Sequence, residues 1–97
     1  MTTPPLLTDE EVADRIQPLD WTLEKDTIVR DLEFEDFAGA IAFVNRVADL
    51  AETHNHHPDI LIHGWNKVKL SLTNHAAGGL TEIDFDMAAR FDALVGA

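Results

Sequence analysis

Histidine stands at positions 54, 56, 57, 63 and 75, four times within ten residues, and Glu52 and Asp59 flank the dense part. Imidazole titrates near neutrality, so these side chains can both give and take protons. A carboxylate beside a histidine pair can hold one ring in a chosen tautomer. The residue types therefore point to acid–base chemistry. Three histidines near a carboxylate also suit zinc. However, His54-x-His56-His57 lacks the i, i+4 spacing of helical metal sites and would aim His56 and His57 in different directions. The absence of cysteine excludes thiolate catalysis, disulfides and cysteine-ligated metals, and fits a reducing compartment. His54 and His63 read as solvated surface residues. Trp65 reads as ordinary rim or core, or as a wall for a flat ligand. Asp84 reads most simply as a capping residue.

These side chains need elements to position them. Residues 2–7, with Pro4 and Pro5, form an extended lead-in. Thr8 and Glu11 make a capping box that opens a helix running to about Gln17, where Pro18 stops it. Residues 21–24 and 27–34 alternate as two strands around a turn at Lys25-Asp26. Ile28, Leu32 and Phe34 share a face of the second strand. Arg30 falls on that face too, and is expected to snorkel at the sheet edge or pair with a carboxylate. Residues 35–53 carry the strongest helical signal, with Phe37, Ile41, Val44, Ala48 and Ala51 expected on the inner stripe, Ala40 and Val47 widening it, and Phe43 and Leu50 on its flank. Pro58 ends that register. Residues 60–62 form a short strand, and Gly64 and Asn66 mark a turn around Trp65. Val68, Leu70 and Leu72 then alternate with Lys69, Ser71 and Thr73 as a half-buried strand. Pairing of these two strands would return His75 to the same end of the sheet as His56. Residues 75–79 are a loop, and Thr81 caps a last helix whose apolar side is Phe85, Ala88, Ala89 and Leu94.

The order α-β-β-α-β-β-α predicts a single α+β domain over residues 1–97: a four-stranded, mainly antiparallel sheet with three helices packed on one face. The composition, 45% hydrophobic and 26% charged, is that of a globular chain. A formal net charge of −11 repels phosphate backbones and anionic lipid, so direct nucleic-acid or membrane binding is not expected. No apolar run approaches the roughly 18 residues of a membrane span. Residues 1–8 lack the basic start and apolar stretch of a signal peptide, and the expected location is cytoplasmic.

Glu52-x-x-x-His56-His57-Pro58, six residues to Trp65, nine to His75 and eight to Asp84 resembles the signature of the pterin-4a-carbinolamine dehydratases. Asn66-Lys67-Val68 and Thr73-Asn74-His75, followed by 77–81, agree with it, as do Trp21 and residues 28–37; the resemblance covers about residues 8–95. It implies removal of water from 4a-hydroxytetrahydrobiopterin, the pterin released by aromatic amino-acid hydroxylases, to give quinonoid dihydrobiopterin. No metal and no organic cofactor takes part in that reaction. By position, the resemblance makes His56, His57 and His75 the catalytic group. It has Glu52 orienting His56 or binding the pterin, Trp65 supporting the pocket, and Asn74 lending backbone contacts to the ring. Some members of that family also act as dimerisation partners of a transcription factor, and others resemble Rubisco assembly factors. That leaves a non-enzymatic binding module as the alternative.

The broad apolar surface of the second helix and the small size of the domain predict a homodimer, or a tetramer of two dimers. The resemblance implies pairing through strand edges.

Overall fold

The computed structural model describes residues 4–95; within the expected lead-in, residues 2 and 3 lie outside these. Thr8 caps α1 (Asp9–Ile16). Its hydroxyl accepts from the Glu11 N–H while the Glu11 carboxylate accepts from the Thr8 N–H, and Asp9, Glu10 and Glu11 complement the helix dipole. The chain continues through β1 (Thr22–Glu24), β2 (Thr27–Glu33), α2 (Phe37–His54), β3 (Asp59–His63), β4 (Lys67–Leu72) and α3 (Glu82–Leu94). The strands form one open antiparallel sheet in the order β1-β2-β4-β3, with β1 and β3 at its edges. The expected α+β architecture and element order are present.

Strand register explains the core. Ile28 pairs with Leu72 and Leu32 with Val68, while Ile62 pairs with Val68 from the other side. Because side chains alternate with period two, this register puts the apolar residues on one face. Ile28, Val68, Leu70 and Leu72 are fully buried beneath Val12 of α1, Ala40, Phe43 and Val47 of α2, and Phe85, Ala88 and Phe91 of α3. The opposite face opposes Asp31 to Lys69 and Glu33 to Lys67.

Arg30 pairs with a carboxylate, as its place on the apolar face required: its guanidinium reaches Asp92 of α3 at 2.5 Å. The same Asp92 oxygen accepts from the Trp21 indole N–H at 2.9 Å, which ties the start of β1, β2 and the last helix together.

Two expected faces need correction. On α2 the buried residues are Ala40, Phe43, Val47 and Ala51, whereas Phe37 is 53% exposed and Ala48 is exposed. At 100° per residue, the inner stripe is rotated by roughly 75° from the expected one. α3 packs against α2, and Phe43 shares one core with Phe85, Met87, Ala88 and Phe91 of α3. On α3 the inner side includes Met87 and Phe91, while Ala89 is exposed. Among the described residues, no helix is long and apolar enough to cross a membrane.

Candidate active site

The candidate residues come from the end of α2, the segment entering β3, the turn leaving β4 and the start of α3. α2 ends at Asn55, which adopts the left-handed conformation (φ +51°) suited to a helix C-terminus. The His56 N–H then bonds back to the Ala51 carbonyl at 3.1 Å. This sharp exit sends the two adjacent histidines to different environments. The His56 side chain is only 12% exposed, and its Nε2 lies 2.7 Å from Oδ1 of Asp84. The His57 side chain is 53% exposed, and its Nε2 lies 2.9 Å from Oε1 of Glu52.

Asp84 does more than the capping that the sequence suggests. It is a capping residue, since Oδ2 accepts from the Thr81 backbone N–H at 2.8 Å and the Thr81 hydroxyl at 3.3 Å. It is also fully buried, and its second oxygen meets His56. One carboxylate thus closes the start of α3 and orients an imidazole. A carboxylate only accepts, so a neutral His56 facing it carries its hydrogen on Nε2 and presents Nδ1 as the free acceptor. Glu52 bonds His57 instead of orienting His56. The position of Asp84 in the spacing pattern was the signal, and its capping role masked it.

β3 pairs with β4 from Asp59↔Ser71 to His63↔Lys67. The segment before Asp59 and the turn after β4 therefore lie at one end of the hairpin, and His75, exposed in that turn, shares this end with His56 and His57. Asn74 holds the turn. Its carbonyl accepts from the Gly78 and Gly79 N–H groups, its own N–H donates to the Gly79 carbonyl, and its side-chain oxygen accepts from the Ala77 N–H. The turn needs Gly78 at φ +80°, where an L side chain would be strained. With its backbone groups occupied in this way, Asn74 shapes the turn that carries His75. Trp65 sits in the β3–β4 turn at the opposite end of the hairpin, 61% exposed. His54 and His63 are exposed, and among the described residues no three His, Asp or Glu side chains converge as a metal site. Beside the His75 turn lies a hollow of about 260 Å³, lined by Leu6, Val12, Leu23, Lys25, Gly79 and Leu80 among others; none of the three candidate histidines lines it.

A sequence profile described as Pterin 4 alpha carbinolamine dehydratase matches residues 5–94. The chain belongs to this family. Among its relatives, a Chloroflexus aurantiacus protein carrying the provisional name pterin-4-alpha-carbinolamine dehydratase is 50% identical over 93 residues, covering 95% of this chain and 99% of its own. A relative from Acidobacterium capsulatum with the same provisional name is 50% identical over 90 residues, covering 92% and 97%. The fold is similar to a crystal structure described as a transcriptional coactivator/pterin dehydratase from Brucella melitensis. The TM-score is 0.88 at 32% identity, over 94% of this chain and 99% of that one. It is also similar to a pterin dehydratase-like protein described as a RuBisCO assembly factor in the alpha-carboxysome. There the TM-score is 0.64 at 28% identity, over 79% and 88% of the two chains.

Proposed function

We propose that the protein removes water from 4a-hydroxytetrahydrobiopterin to give quinonoid dihydrobiopterin, by acid–base catalysis at His56, His57 and His75. The observation that carries this reading is the buried Asp84–His56 pair at the hairpin end shared with His75. The reaction breaks the C4a–O bond, and the hydroxyl takes up a proton to leave as water. A ring N–H gives up a proton, and its electron pair forms the new C=N bond. His56 accepts the ring proton at Nδ1, and Asp84 stabilises the imidazolium that results. His75 gives the proton to the leaving hydroxyl. His57, held by Glu52, supports the charge around the pterin. The net product besides the dihydropterin is one water, and no cofactor is needed. The substrate is of the kind an aromatic amino-acid hydroxylase releases, and the protein acts in the cytoplasm beside such an enzyme.

The second reading, a non-enzymatic dimerisation or assembly factor, is favoured by the likeness to the RuBisCO assembly factor. Capping α3 accounts for one oxygen of Asp84, and a scaffold needs no more; the oxygen that orients His56 favours the enzyme. Stopped-flow dehydration of the 4a-hydroxypterin separates the two readings. His56→Ala or His75→Ala should slow the reaction by on the order of 10²–10⁴. His54→Ala, altered outside the group, should match the wild type. A wild-type protein that gives no acceleration, or an equal loss from His54→Ala, overturns this proposal.

A further inference from the structure

We propose that Leu6 and Thr73 are positioning residues that set the His75 turn against the Asp84–His56 pair. This rests on the reading of these histidines as an acid–base group. The clasp around Asn74 closes the turn on itself through Ala77, Gly78 and Gly79. Bonds inside a turn fix its shape but not its placement on the domain. Placement comes from outside. At the entry, the Thr73 hydroxyl donates to the Asp26 carbonyl at 2.6 Å, which ties the end of β4 to the β1–β2 turn 47 positions away. At the exit, the Leu7 N–H donates to the Leu80 carbonyl at 3.0 Å. Leu6 rests on the turn itself: a Cβ added at Gly79 would stand 3.1 Å from Leu6 Cδ2, inside ordinary contact distance.

The segment gripped in this way joins both halves of the site. Gly79 closes the His75 turn, Leu80 follows, and Thr81 holds Asp84 through its N–H at 2.8 Å and through its hydroxyl. Asp84 in turn meets His56. Residues 79–81 therefore carry placement from the proton donor to the carboxylate behind the proton acceptor. Leu80 and Thr81 are buried, and Leu7 packs against the same core, so this segment is anchored beside the lead-in. The lead-in cannot slide, because the Thr8 hydroxyl and N–H are committed to Glu11 at the start of α1. The hollow of about 260 Å³ is lined by Leu6, Asp26 and Gly79 among others, so packing against the turn is thin there and the two tethers supply the constraint. Proton transfer needs that constraint, since a misplacement of about 1 Å can cost on the order of 10²-fold in rate.

Two substitutions outside the histidine group test this. Leu6 is 53% exposed and Thr73 is half-buried, so Leu6→Ala and Thr73→Val should hardly move the urea midpoint. Each should nevertheless lower kcat for dehydration about tenfold with KM unchanged, because His75 acts on the leaving hydroxyl and not on substrate binding. Leu6→Met and Thr73→Ser, which keep the apolar contact and the hydroxyl, should restore the rate. A second readout needs no activity. In amide exchange followed by NMR, the Gly78 and Gly79 N–H groups should exchange faster in Leu6→Ala and Thr73→Val, while Leu70 in the central strand β4 should not. Against an active wild type, full activity in either variant or a change in KM alone overturns the proposal. So does unchanged exchange at Gly78 and Gly79, or equal acceleration at Leu70. If the wild type does not dehydrate pterins, yet Gly78 and Gly79 loosen selectively, the functional reading fails and the tethering of the turn stands.

Discussion

His56 and Asp84 lie 28 positions apart in sequence and meet at 2.7 Å, Nε2 to Oδ1, with the carboxylate wholly removed from solvent. The other oxygen of that carboxylate is held by Thr81, so the group that orients the imidazole is itself fixed by the start of α3. A mobile carboxylate would have to be ordered each time it held the ring; this one is ordered by folding.

Asp84→Asn should therefore lower the dehydration rate by on the order of 10²–10⁴. The replacement amide can turn its N–H toward His56 and reverse the tautomer preference. Imidazole nitrogen NMR of the free protein should show loss of the Nε2–H form. A rate loss without that spectroscopic change would point to a merely structural role for Asp84.

Asp92→Ala should destabilise the fold without touching the histidines. It strips one acceptor from both the buried Trp21 indole and the half-buried Arg30 guanidinium. Leaving such donors unpaired costs about 1–3 kcal/mol, measurable in urea unfolding. Asp92→Asn, which keeps an acceptor oxygen, should lose less.

The rotation of α2 gives a direct comparison of two phenylalanines. Phe43 is 2% exposed and stacks at 5.0 Å from Phe34, whereas Phe37 is 53% exposed. Phe43→Ala should cost about 3–5 kcal/mol in denaturant unfolding. Phe37→Ala should stay within about 0.5 kcal/mol. A larger loss from Phe37→Ala than from Phe43→Ala would mean that the inner face of α2 is the one the spacing pattern suggests.

The Thr8 cap makes α1 sensitive to acid. The Thr8 backbone N–H, which donates to the Glu11 carboxylate, and then the neighbouring Thr8 hydroxyl hold that carboxyl below its ordinary value of 4.5. A carboxyl whose pKa is lower in the folded state stabilises the fold above the unfolded value. That contribution fades as pH falls through the folded one. Wild-type and Glu11→Gln unfolding curves should differ above pH 4.5 and converge in stronger acid. A difference that widens on acidification would contradict the sign.

What the sequence alone determined is local. Thr8 with Glu11 marks a helix start because capping is settled within four residues. Val68, Leu70 and Leu72 mark a half-buried strand because the pleat has period two. The spacing from Glu52 to Asp84 identified the candidate residues, and the element order indicated the architecture. The long-range relationships needed the tertiary structure. α2 is apolar around much of its circumference, so its inward face was decided by where α3 packs, which no period within the helix encodes. Whether Arg30 snorkels or pairs was left open until α3 brought Asp92 to it. Asp84 read as a cap because that bond spans three residues, while its bond to His56 depends on α3 docking beside the end of α2. Trp65 and His57 read as neighbours in one pattern, and the strand between them holds them at opposite ends because an extended chain cannot bring residues eight apart together.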